Sequence, residues 1–355
     1  MVPLGAPPKD QIPEKNNTPD KDKDKNSQKD AASEKEKTPE KDTTSDKDQT
    51  SEKDNPPLKS ETPDKLKEAI EDQTKPAPTP KEGKDLILYA YSESPAGRAN
   101  LEYFIKKGLH GSADFLFVLN GNTTVEKLIP DLPNIKIVHR ENKCYDLGTM
   151  GAVLGKDRLW MGYKRFITMN ASIRGPFLPS YSSGSCWSDV FFDRLNGKVK
   201  LVGTTVNCEP RPHIQSMLLA TDSIGMSILL SPSLSTTIHR PDFFGTADQP
   251  TGFTPCYDTM HHAIHGELDL TELIESQGYE VDALLAAYQS HPTPANYCFE
   301  NGSPKDILYD GKYYGSNVHP YELVFIKANR NIAPALLNKM TQWHLKQNGS
   351  AWDTC

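Results

Sequence analysis

Tyr163–Tyr181, YKRFITMNASIRGPFLPSY, reads as a strand aimed at a protein core that stops in polar groups. Phe166, Ile167 and Met169 make a short apolar run, the pattern of a strand covered on both faces. Asn170, Ser172 and Arg174 follow, and Gly175-Pro176 ends the stretch. In open α/β sheets, ligands bind outside the carboxyl ends of the strands. An amide, a hydroxyl and a guanidinium at such an end therefore point to a site.

The neighbouring segments supply the sheet. DLILYAY (85–91), ADFLFVLN (113–120), NIKIVHR (134–140), KVKLVGTTVNC (198–208), PHIQSMLLATD (212–222) and ELVFIKANR (322–330) read as further strands. RANLEYFIKK (98–107), DLGTMGAVLG (146–155), SDVFFDRL (188–195), SIGMSILL (223–230) and LDLTELIESQG (268–278) read as helices, the last capped by Thr271 or Asp269. APALLNKMTQWHL (333–345) is amphipathic and expected on the sheet, and 233–258, rich in Pro, Gly and Thr, is expected as a lid loop. Strands alternating with helices predict an α/β fold with a mixed, mostly parallel sheet flanked by helices. Polar strand tips would then gather on one edge.

Composition divides the chain. Residues 1–84 repeat variants of TPDKDKDK and SEKEKTPEKD with almost no branched apolar or aromatic residue. Such a stretch buries too little apolar surface to offset its ordering entropy and is expected to be a disordered spacer. Residues 85–355 form the expected α/β domain. The formal net charge of −7 gives no basis for a nucleic-acid partner. No run is long enough for a transmembrane helix, and the first residues lack the apolar core of a signal peptide. The expected location is the Golgi or secretory lumen if an anchor lies upstream, and the cytoplasm otherwise.

Six cysteines contain no CxxC pair, which argues against a zinc knuckle, and their spacing assigns no disulfides. Sequons stand at Asn16, Asn122, Asn170, Asn301 and Asn348. GxGxxG, GxxxxGK[ST] and GxSxG are absent. His261 and His265 have the helical spacing of a metal pair but lack the Glu of HExxH, so a polar helix face is the simpler reading. The stronger constellation is Arg140, Asn142 and Asp146 at a strand-to-helix turn beside Asn170 and Ser172, where helix amides can meet a phosphate. Against it stand plain structural roles: Asp146 as a helix cap and Asn170 as a turn closer.

ENKCYDLGTMGAVL (141–154) with YKRFITMNASIRGPFLP (163–179) resembles uncharacterised glycosyltransferase-like proteins of fungi and algae. These are similar in turn to rhamnan synthesis protein F and to nucleotide-sugar transferases of the GT-A fold. KLVGTTVNCEPRPHIQSMLLATDSIG and YYGSNVHPYELVFIKANR extend the resemblance, which spans Leu86–Leu345. It implies a GT-A-like, Rossmann-like domain holding a nucleotide-sugar donor through Arg140, Asn142, Asp146, Asn170, Ser172 and Arg174. It also implies Mg²⁺ or Mn²⁺ on an Asp-x-Asp motif closing the fourth strand, where this chain has Asn170-Ala171-Ser172. Either the metal is absent, or Asp146 and His319 supply ligands. Without a metal, Arg140, Arg174, Lys327 or Arg330 would neutralise the leaving diphosphate.

For the carboxylate that deprotonates the acceptor, position favours Asp222, with Asp189 second. His213 and Gln215 are expected to bond sugar hydroxyls, Trp187 to stack on a sugar ring, and Glu322 to pair with Lys327 or Arg330. The expected function is sugar transfer to a glycan or glycoprotein, as in polysaccharide biosynthesis. The rivals are a non-catalytic sugar- or nucleotide-binding protein that keeps the fold without the acidic motif, and an interaction protein acting through the charged repeat.

Overall fold

The computed structural model describes residues 83–182 and 184–355. Nearly all of the expected spacer therefore lies outside the described residues.

Eleven strands are found among the described residues: β1 (Asp85–Ser92), β2 (Ala113–Asn120), β3 (Ile135–Arg140), β4 (Arg165–Asn170), β5 (Ile173–Arg174), β6 (Val199–Gly203), β7 (Val206–Asn207), β8 (His213–Ile214), β9 (Leu218–Asp222), β10 (Glu280–Ala283) and β11 (Ile326–Lys327). Seven build one sheet in the order β10-β6-β9-β4-β1-β2-β3. Neighbours run parallel except β9, which is antiparallel to both β4 and β6. The α/β class with a mixed, mostly parallel sheet is thus what the chain adopts. Its helices are α1 (Pro95–Lys107), α2 (Tyr145–Gly155), α3 (Asp189–Phe192), α4 (Ser223–Leu229), α5 (Met260–Glu275), α6 (Pro294–Glu300), α7 (Pro320–Leu323) and α8 (Pro334–Lys346).

The continuous apolar runs explain the centre of the sheet. All eight residues of β2 and seven of β1 are buried, as strands covered on both faces must be. Tyr89, Phe104, Phe117, Trp187 and Phe325 interlock at ring distances of 5.0–6.5 Å. Each such fully buried side chain contributes about 1.5–3 kcal/mol by leaving water.

Several expected elements differ, among them KVKLVGTTVNC, which splits into β6 and β7. PHIQSMLLATD splits into β8 and β9, and β9 reverses direction, which adjacent apolar residues alone do not encode. ELVFIKANR yields the single turn α7 and only a two-residue strand, because Pro320 opens a helix and Val324 adopts φ +62°. HHAIH and LDLTELIE form one helix, α5, whose cap is Thr259 accepting from the His262 amide; Asp269 and Thr271 are buried inside it.

Disulfides join Cys144 to Cys256, Cys186 to Cys355 and Cys208 to Cys298. The first ties the expected lid to the start of α2. The same loop lies flat on that helix, since a Cβ on Gly151 would stand 1.6 Å from the Phe253 carbonyl oxygen. Asp242 further anchors the loop, accepting from Arg211 at 2.8 Å and contacting His265 at 2.8 Å. The segment is thus tied down at Asp242, Phe253 and Cys256.

Candidate functional site

The chain leaves β1 for β2 on one side and pairs with β4 on the other, so the order of strands reverses between β1 and β4. The carboxyl ends there open a crevice. A cavity of about 160 Å³ sits in it, bordered by Ser92, Ser94, Gly97, Asp146, Asn170 and Asn329. Ser94 caps α1, accepting from the Gly97 amide at 3.0 Å, so the positive end of a 13-residue helix faces the cavity.

Asp146 reaches the crevice from the first turn of α2, which Cys144 and Tyr145 launch at φ +73° and +49°. It accepts from Asn170 Nδ2 at 2.8 Å. Burial pushes its carboxyl up to about 6, against the opposing pull of that bond and of the Lys327 charge. Asn170 Oδ1 accepts from the Ser172 amide at 3.0 Å and the Ser172 hydroxyl at 2.6 Å. The two strand-tip residues therefore satisfy one another: Asn170 closes a turn, as expected, and borders the cavity. Asp146 is not the expected cap, since the α2 N-cap is Cys144, with no side-chain cap bond.

Lys327 stands behind this tip. β11 pairs with β5, and the Ala328 amide donates to the Ser172 carbonyl at 2.8 Å. Among the described residues the ammonium has no hydrogen-bond or ion-pair partner. Desolvation draws its pKa below the ordinary lysine value, and the Glu267, Asp306 and Asp146 charges pull the other way. Glu267 comes from the middle of α5. Its Oε1 accepts from the Ser216 amide at 2.6 Å and hydroxyl at 2.8 Å. Burial raises its pKa, but His213, Lys327 and the Ser216 bonds outweigh this and hold it below the ordinary carboxylate value.

The other cations are engaged. Arg140 donates to Thr149 Oγ1 and to the Lys143 carbonyl, bracing the β3–α2 turn. Arg174 bonds Asn100 at 2.8 Å and Thr341 at 3.3 Å, away from the cavity. Arg330 pairs with Asp306 at 2.6 Å and lies over the Tyr309 ring. Asn142 is exposed beside the Cys144–Cys256 bridge, where it borders a separate cavity of about 450 Å³.

Both expected bases are misplaced. Because β9 runs backwards, Asp222 pairs with Arg165 at the start of β4. Five residues of strand, roughly 16 Å at about 3.3 Å each, separate that end from Asn170. Asp222 caps α4 and holds Lys200 at 2.6 Å. Asp189 is near Arg165 and Asp85 on the same wrong edge, its carboxyl raised by burial and by Asp193. Trp187 is 1% exposed and donates to the Gly108 carbonyl at 2.8 Å, so it offers no face to a sugar.

His213 and Gln215 are also buried. Gln215 spans Thr205 and Asp306, and His213 Nδ1 meets the Arg211 carbonyl. His319 caps α7, accepting from the Tyr321 amide at 3.2 Å, and is not among the charges around Asp146. Glu322 accepts from the Ala286 amide and the Tyr313 hydroxyl, and so serves neither Lys327 nor Arg330. His265 lies between Asp242 and Asp269, and His261 packs on Phe243 and Phe244.

A hard divalent cation fits this tip poorly. Mg²⁺ and Mn²⁺ prefer carboxylate oxygens. Asn170 spends its carbonyl on Ser172, Asp146 offers one free oxygen, and an ammonium shares the neighbourhood. Among the described residues, the group of three candidate ligands is His110, Cys186 and Cys355, whose sulfurs are already bonded to each other. Glu267 lies one residue before the LDLTELIE stretch whose periodicity predicts a helix, and the helix in fact begins at Met260. Ser216 and Asn329 had no signal at all.

No protein-family model matches the chain, and no curated protein does. Among solved structures it is similar to a putative nucleotide-diphospho-sugar transferase from Desulfovibrio desulfuricans G20, at 12% identity over 62% of this chain and 96% of that one, TM-score 0.33. A 4-diphosphocytidyl-2C-methyl-D-erythritol synthase matches at 11% over 56% and 88%, TM-score 0.30. A mannosyltransferase from Pyrobaculum calidifontis, in complex with GDP-Man and Mn²⁺, matches at 13% over 67% and 86%, TM-score 0.29. At these scores the site's own residues must carry any functional reading.

Proposed function

We propose that the protein is a GT-A-like transferase that moves a sugar from a nucleotide-sugar donor to a hydroxyl of a glycan or glycoprotein. The observation that carries this is Lys327, a desolvated ammonium without a partner among the described residues, set behind a polar crevice at the sheet's switch point. Leaving a cation so placed costs stability, and an anionic ligand would offset that cost. The donor's diphosphate lies across the β1 and β4 tips, against the α1 N-terminus, with Asn170 and Asn329 beside it. Asp146 positions Asn170.

Glu267 replaces Asp222 and Asp189 as the base. It is ionised at neutral pH, is fixed through Oε1, and its Oε2 makes no hydrogen bond among the described residues. Glu267 takes the acceptor's proton, the acceptor oxygen bonds to the sugar's anomeric carbon, and the bond from that carbon to the diphosphate breaks. Lys327 and the α1 amides meet the charge that develops on the leaving group.

No step is assigned to a metal. The three disulfides support an oxidising, secretory location, with residues 1–84 as a spacer. Release of nucleoside diphosphate from a panel of nucleotide sugars, with candidate glycans as acceptors, tests the reading. Release that Glu267→Gln abolishes in a folded protein is expected. Saturable nucleotide-sugar binding without release would favour the binding-protein alternative, to which the mutually satisfied Asn170 and Ser172 also lend support.

A further inference from the structure

We propose that Asn122 and Asn348 carry N-linked glycans, while the sequons at Asn170 and Asn301 stay bare. The claim is independent of the transferase reading. It rests first on the pairing of all six cysteines, a state kept in oxidising compartments, where asparagine glycosylation also takes place. Whether a sequon can hold a glycan in the folded protein then depends on how exposed its side chain is and what it bonds.

Asn348 follows the end of α8. Lys107 Nζ donates to the carbonyls of Gln347 and Gly349, 2.8 Å each, pinning the main chain on both sides. The Asn348 side chain is exposed and makes no hydrogen bond among the described residues. An open cavity of about 280 Å³, bordered by Lys107, His344 and Asn348, leaves room for a first sugar. Asn122 follows Gly121, whose φ is +75°, and is likewise exposed and without a hydrogen-bond partner among the described residues. Its loop is fixed from beneath: the Thr123 hydroxyl donates to Glu93 at 2.6 Å, and Thr124 Oγ1 accepts from Arg98 at 3.0 Å.

The other two described sequons are closed. Asn170 is half-buried at the strand tip, unlike the two exposed asparagines, and donates one N–H to Asp146 at 2.8 Å. Asn301 donates to the Tyr297 carbonyl at 2.9 Å and accepts from the Tyr314 hydroxyl at 2.7 Å. A glycan on either would crowd a half-buried side chain and disturb these bonds.

The donor is a lipid-diphosphate-linked oligosaccharide. The asparagine Nδ2 bonds to the anomeric carbon of its first sugar, and the bond from that carbon to the diphosphate breaks. The lipid diphosphate leaves with the electron pair, and Nδ2 gives up one proton.

The test uses the full chain isolated from the cells that make it. Peptides are released by protease and deglycosylated by an amidase in heavy-oxygen water, which marks each formerly glycosylated asparagine as labelled aspartate. Label at Asn122 and Asn348, with none at Asn170 or Asn301, is the expected result. Absence of label at Asn122 or Asn348, or its presence at Asn170 or Asn301, overturns the proposal.

Discussion

Replacing Asp146 with asparagine should make the protein more stable at neutral pH and leave it nearly unchanged in acid. The folded carboxyl titrates near 6 rather than 3.8 because burial disfavours its charge. At about 1.4 kcal/mol per tenfold change in proton affinity, that rise corresponds to at most about 3 kcal/mol. Asp146 is only half-buried, so solvent screening brings the expected figure to about 1–2 kcal/mol.

The sign follows from linkage. The folded state binds this proton more tightly than the unfolded state, so stability is full below the unfolded pKa and is lost as pH rises through the folded value. The window is therefore about pH 4 to 6. Asparagine stays neutral throughout and can keep the bond to Asn170. It forgoes the favourable placement of a negative charge at the α2 N-terminus, worth about 0.3–1 kcal/mol, which trims the gain without reversing it. Urea unfolding of both proteins at pH 4.5 and 7.5 is the assay. A variant less stable than the parent at pH 7.5, or a difference that does not grow with pH, would refute the reasoning.

Lys327→Met should raise the Asp146 pKa above its present value, because the ammonium now favours the carboxylate; carboxyl NMR titration reads this directly. Asp222→Ala should lose about 3 kcal/mol, since it removes the α4 cap and leaves the buried Lys200 unpaired, yet the folded variant should bind nucleotides as before. A binding defect in folded Asp222→Ala would restore that residue to the site. Gly151→Ala should cost about 3 kcal/mol or more by driving the 253–256 loop off α2, measurable as a fall in the urea midpoint.

The sheet was legible because its strands are short apolar runs with polar ends, and burial on both faces leaves that trace. The Asp146–Asn170 pair was legible for the same reason, as two strand-end segments meeting at one edge. Direction was not legible: nothing in LLATD distinguishes a parallel strand from an antiparallel one, so Asp222 was assigned to the wrong edge. Trp187 shows the limit of residue type, since an indole that suits a sugar suits a core equally well. Lys327 was one of four interchangeable cations in the sequence, and only the partners of Arg140, Arg174 and Arg330 set it apart.

The central claim is that an anionic donor group binds at the β1–β4 crevice beside Lys327. Calorimetric titration of the full chain with a set of nucleoside diphosphates, in EDTA and in Mn²⁺, against folded Lys327→Met, tests it most directly. The account predicts nucleotide-selective binding that persists in EDTA and weakens at least tenfold in the variant. Binding that the variant leaves unchanged, or no binding by the folded parent protein, would contradict it.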